Sequence, residues 1–279
     1  MMYQMKPFKL FLGGSGILGT VELTSDKDRY HQLVVGAVTQ LRIRLLADPQ
    51  LRKPILHIFT TVYSDTSPFR EDLKRETPIE DQIPNINKIR KIHRNPPSDE
   101  DVVEFLTFAF PDLYLEHGDF SEDNLIWGET AYGRGAAKKE EISINIRLIN
   151  LWHEVVSAWN LYMITLQGIK TLQVYSNSRE VNVSAYEFLV LFYGVFFHEL
   201  AHSSLVWYGE GCCHSPKTGG IDEDAGDYYE KAVFGGVSSC EISRGGLKIT
   251  KVGFYIDRVF YAIGENFSTI ILPLIWISE

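Results

Sequence analysis

The chain has 279 residues, 45% of them hydrophobic and 23% charged, ordinary values for a globular protein that exclude a largely disordered chain. That length can bury a large core, so folding needs neither a metal nor disulfides as staples. A formal net charge of -9 argues against general affinity for nucleic acid or anionic membranes. The three cysteines, Cys212, Cys213 and Cys240, are too few for a disulfide framework.

The N-terminal "MMYQMKPFKLFLGGSGILG" makes a poor signal peptide, because glycines break its apolar run at once. No stretch reaches about eighteen uninterrupted apolar residues. Without a signal or span, the default expectation is cytoplasmic. "FKLFLGGSGILGTVEL" reads as two short strands around a glycine turn. A helix is expected next, capped at Ser25 or Asp26, with Leu33, Ala37, Leu41 and Leu45 on one face. "KPILHIFTTVY", rich in branched residues and opened by Pro54, reads as a strand.

From Ser64 to Ser98 the chain is polar and broken by five prolines, with the basic run "NKIRKIHR" inside it. This predicts a long connection with room for one short helix, and a boundary there. The basic run is read as a solvated face. The expected division is 1–98, an N-terminal α+β region and linker, and 99–279, a second domain. "DEDVVEFLTFAF" should be helical, and the stretch from Asp119 to Lys139 is loop-rich. "EEISINIRL" alternates Ile142, Ile144 and Ile146 with polar residues, as a half-buried strand does. A helix from Leu148 to Gln167, a hairpin-like "SNSRE" and a helix capped at Ser184 follow.

That last helix carries "FFHELAHSSL". Positions i and i+4 share a helix face, so His198 and His202 can aim two imidazole nitrogens at one ion, with Glu199 to the side where it can reach water. This is the content of the His-Glu-x-x-His motif of zinc hydrolases. "WHEVVSAW" supplies a contrast, because His153-Glu154 is followed by Ser157 where a second histidine would stand. The helix from Ala185 to Trp207 is apolar on nearly every side, and burying two imidazoles and a carboxylate there without partners is costly. An ion would relieve that cost. The alternative is a pair of core histidines bonded to backbone.

A catalytic zinc needs a third protein ligand. The metzincin extension is excluded, since Leu205 and Tyr208 stand where it requires glycine and histidine. "GGIDEDAGDYYEKAVFGG" offers Asp222, Glu223 and Asp224 at the start of a further helix. "GCCHSP" offers Cys212, Cys213 and His214 for a closed structural site, which would leave Glu199 unexplained.

These motifs resemble the zincin metallopeptidases of the glutamate-zincin type. That resemblance implies a ligand Glu some twenty residues after the second histidine and an Asp four residues later that orients a ligand histidine. Glu223 and Asp227 match that spacing. The region from Ile142 to Gly236 also resembles fungal zincin-like proteins through Ser215-Pro216, Asp224-Ala225-Gly226 with Glu230, and Phe234-Gly235-Gly236. On that alignment Asp224 replaces Glu as ligand, and Glu230 is an alternative ligand or a supporting group.

The resemblance implies an α+β, zincin-like fold. It has a small mixed sheet, a central His-Glu-x-x-His helix and a following ligand-bearing helix. It also implies Zn2+ as cofactor, a peptide or protein substrate, and Glu199 as general base. "ISINI", Ile142 to Ile146, is then the edge strand that pairs with substrate. Tyr228, Tyr229, Arg244 and Tyr255 are candidates to stabilise an oxyanion. Two rival readings stand beside this one. Gly14 to Gly19 match a dinucleotide fingerprint, which requires a helix to open directly on the glycines. A zincin-shaped protein could also bind metal or a partner and catalyse nothing.

Overall fold

The computed structural model describes residues 5–13, 20–24, 28–65, 85–117, 120–121, 124–125, 127–131, 141–157, 185–210, 224–242 and 249–263. It is a mixed α+β structure. Strands β1 (Leu10–Leu12), β2 (Val21–Glu22), β3 (Asp112–Glu116), β6 (Gly128–Ala131) and β7 (Glu141–Asn145) form a five-stranded sheet in the order β2-β1-β3-β7-β6. β1, β3 and β7 run parallel, while β2 and β6 are antiparallel edges. The remaining short pair is β4 (Phe120–Ser121) with β5 (Asn124–Leu125).

β1 and β2 pair as the hairpin reading expects. The glycine-rich turn itself, residues 14–19, lies outside the described residues. Among the described residues, 20–24 just after it are strand and extended chain, where the fingerprint's helix would run. Helix α1 (Arg29–Ala47) starts later, capped by Asp28, whose carboxylate accepts the Tyr30 N–H. The proposed caps Ser25 and Asp26 lie outside the described residues. The most buried stripe of α1 is Tyr30, Val34, Val38, Leu41 and Leu45, with Leu33 and Ala37 only half-buried beside it.

The strand expected at "KPILHIFTTVY" is instead part of helix α2 (Pro49–Ser64). Asp48 caps it, Pro49 opens it, and Ile55, Ile58, Phe59 and Val62 are buried at helical spacing. Pro54 forgoes only the bond to the carbonyl of Gln50, an exposed residue where water can substitute. Arg52 of α2 reaches Asp99, Nε to Oδ1 at 2.8 Å, and donates to the carbonyls of Leu45 and Leu46. The short helix in the connection is α3 (Asn85–Ile92), and α4 (Asp99–Phe108) follows with a capping box at Ser98. Contacts cross residue 98 freely: β1 pairs with β3, and α2 packs on the central helix described next.

After β7 come α5 (Ile146–Ser157) and α6 (Ala185–Tyr208). The proposed cap Ser184 and the "SNSRE" stretch lie outside the described residues. α6 is long and apolar enough to cross a membrane, but nearly all of it is covered by protein. It packs on α2, α5, β6, β7 and α7 (Ala225–Phe234), and on a second sheet. That sheet has the order β10-β9-β8, from β8 (Val237–Ile242), β9 (Ile249–Ile256) and β10 (Val259–Ala262).

Candidate metal centre

His198 and His202 lie one turn apart on α6, as their spacing requires, with their Nε2 atoms 3.3 Å from each other. Asp224, the residue that caps α7, brings Oδ2 to 3.7 Å from each of them. Ligands at about 2.0–2.1 Å around a tetrahedral ion stand about 3.3 Å apart. The three atoms therefore fit one small cation with little adjustment. Two imidazoles and a carboxylate are also the donor types that zinc takes.

The other face of the His198 ring is equally committed. Nδ1 lies 2.9 Å from Glu230 Oε1. A carboxylate can only accept, so Nδ1 carries a proton, which leaves Nε2, the nitrogen facing Asp224 and His202, as the one that can ligate an ion. Glu230 is buried, and its Oε2 accepts the backbone N–H of Ser238 at 2.5 Å. Asp227 Oδ1 stands further from Nδ1, at 3.6 Å. Glu230, not Asp227, is thus the carboxylate that holds the His198 ring. Glu223 lies outside the described residues, as do Cys212, Cys213, His214 and Arg244.

Two close approaches make this geometry possible. A Cβ on Gly226 would sit 2.4 Å from ring atoms of His198, so only glycine lets the first turn of α7 lie flat on that imidazole. A Cβ on Gly194 would sit 2.1 Å from Ser238 Oγ, so α6 and β8 meet where Glu230 is anchored.

Glu199 is buried and points to the edge of the large sheet. The Thr130 hydroxyl of β6 lies 2.7 Å from its Oε2 and 2.9 Å from its backbone carbonyl. Gly128, two residues back on the same strand face, has no room for a Cβ, which would stand 2.9 Å from Glu199 Cγ. Thr130 and Gly128 were not legible as site residues, because "GETA" is too short to show a period.

Burial raises the pKa of Glu199, against the pull of His198, the Thr130 hydroxyl and His202. For His198 burial opposes the charged form, yet the hydrogen bond and charge of Glu230, with Glu199 and Asp224, lift it to about 9 in the metal-free protein. Asp224 is held well below the ordinary carboxylate range, because the neighbouring His202 ring, its bond from the Asp227 N–H and the charge of His198 outweigh burial. Burial and the neighbouring Asp224 raise Asp227.

The substrate strand requires correction. β7 is interior, with β3 on one side and β6 on the other, so its backbone has no free edge for a peptide. Ile142 and Ile144 face the core, and Ile146 belongs to α5. The edge strand beside the motif helix is β6. Among the oxyanion candidates, Tyr229 is fully buried with its hydroxyl directed to the Leu51 carbonyl. The Tyr228 ring lies 5.0 Å from that of His57, and Tyr255 is exposed on β9 beside Phe260.

Comparison of the chain with protein-family models, with curated proteins and with solved structures found no match, so the functional reading rests on this geometry.

Proposed function

We propose that the protein is a zinc-dependent hydrolase of the zincin type, most simply a metallopeptidase, with His198, His202 and Asp224 as ligands and Glu199 as general base. One observation carries this reading. The three donor atoms converge at 3.3 to 3.7 Å next to a buried carboxylate that is pinned to an edge strand. The same donor set also suits ferrous iron. A neighbouring glutamate with a raised pKa favours hydrolysis, since a base works best when its pKa approaches the working pH.

Zinc, when bound, supplies Lewis acidity that draws the pKa of a coordinating water towards neutrality and polarises a carbonyl. Glu199 would act as the base that accepts a proton from the attacking water and returns it to the leaving amine. Thr130 fixes the carboxylate so that one oxygen keeps its place through both transfers. Glu230 keeps His198 in the ligating tautomer. Among the described residues no strand lies outside β6. An extended peptide added to that edge would run beside Glu199, because Gly128 and Thr130 touch it.

The test is Glu199→Gln. Chelator-sensitive cleavage of peptide libraries or unfolded protein is expected to fall by about 10²–10⁴-fold, with zinc still bound at about one per chain. Wild-type cleavage rates in the variant would remove the catalytic role and leave a metal-binding protein. Elemental analysis separates zinc from iron.

A further inference from the structure

Asp224 serves two partners with its two oxygens. Oδ1 accepts the Asp227 N–H at 2.8 Å and so caps α7, while Oδ2 faces the two histidine nitrogens. Aspartate is among the preferred N-caps and glutamate is not, because a short side chain must fold back onto the first free N–H groups. This accounts for Asp where the zincin resemblance expects Glu. A longer side chain could reach an ion but would leave the first turn of α7 uncapped.

The rest of α7 is committed to the same place. Gly226 admits the His198 ring, and Glu230, about one turn on, holds Nδ1 and is itself tied to β8. One ten-residue helix therefore supplies a ligand at its cap and orients a second ligand on α6. We propose, resting on the metal reading above, that metal binding and the docking of α7 on α6 are one coupled event. The ion locks the first turn of α7 through Asp224 Oδ2, and opening of α7 releases the ion. The coupling is reciprocal by linkage.

Amide hydrogen exchange of the full chain tests this, with zinc alone as the probe. With free zinc at 100 times its Kd, amides from Asp227 to Glu230 should exchange about 100-fold more slowly than in chelator-treated protein, while those of β10 do not change. Asp224→Asn keeps the cap and loses the anionic ligand. Measured against its own metal-free exchange, which loses the Asp224 pairing with the two histidines, its zinc affinity should fall roughly tenfold or more and the zinc-dependent slowing should shrink by at least the same factor. Zinc bound at one per chain with unchanged α7 exchange would overturn the coupling and leave the metal reading standing. A wild-type chain that binds no zinc would remove both.

Discussion

At the scale of single residues, glycine does two different jobs in this chain, and substitution separates them. Gly226 faces the His198 ring, and Glu230, one turn further along the same helix, holds its Nδ1, so an added methyl group would push the ring off that bond. Gly226→Ala should cost about 1–3 kcal/mol through overpacking and weaken zinc binding by roughly tenfold or more as His198 swings out of line. Gly36, exposed in the middle of α1, has nothing within 4 Å of a new Cβ. Gly36→Ala should stabilise the chain by about 0.5–1 kcal/mol through helix propensity. Zinc competition titrations and denaturant midpoints on the two variants check both statements. Equal effects would show that the contact with His198 has no special weight.

At the scale of elements, the tight turn between β9 and β10 is an isolated backbone strain. Its two central residues, Asp257 and Arg258, have φ of 49° and 69°, the left-handed region that a two-residue type I′ turn requires and that glycine enters most easily. Arg258→Gly should stabilise the chain by about 0.5–1 kcal/mol, the left-handed penalty less the entropy glycine adds to the unfolded state. That would raise the thermal midpoint by roughly 2 °C. A lower midpoint would mean that the arginine side chain stabilises the hairpin by more than its backbone costs. Element types follow the same logic of local against distant causes. α1, α4, α6 and α7 were legible because the apolar residues within each segment, and for α7 the acidic residues just before it, point to a helix, although the cap of α1 is Asp28. α2 was not, because Pro54 and branched residues imitate a strand while the deciding stripe of Ile55, Ile58, Phe59 and Val62 needs α4 and α6 to bury it. The juxtaposition of His198 and His202 was legible for the local reason that i and i+4 share a face. Thr130, Gly128 and Ser238 were not, since their roles come from strands that only the fold brings to α6.

At the scale of the molecule, the proposed metal centre implies a stability that depends on metal and on pH. Zinc that binds only the folded chain should stabilise it by about 2.7 kcal/mol at 100 times Kd, raising the thermal midpoint by roughly 5–10 °C. The pH dependence has a definite sign in the metal-free protein. His198 is lifted from 6.5 to about 9, so its contribution is fully present below pH 6.5 and is lost as pH rises through 9. Asp224 is depressed from 3.8, so its contribution is present above that value and is lost as pH falls below it. The metal-free chain should therefore weaken on both sides of a plateau between those limits. With zinc bound, the ion takes the place of the proton on His198 Nε2, and the alkaline loss should disappear. For the same reason zinc binding at pH 7 must displace a proton, close to about one per ion from this histidine, and affinity should rise with pH up to about 9. Denaturant midpoints across pH 5 to 10, with chelator and with zinc, measure the first effect, and calorimetry in buffers of different ionisation enthalpy measures the second. A metal-free profile that stays flat from pH 6.5 to 9 would mean that Glu230 and its acidic neighbours do not hold His198 in its charged form.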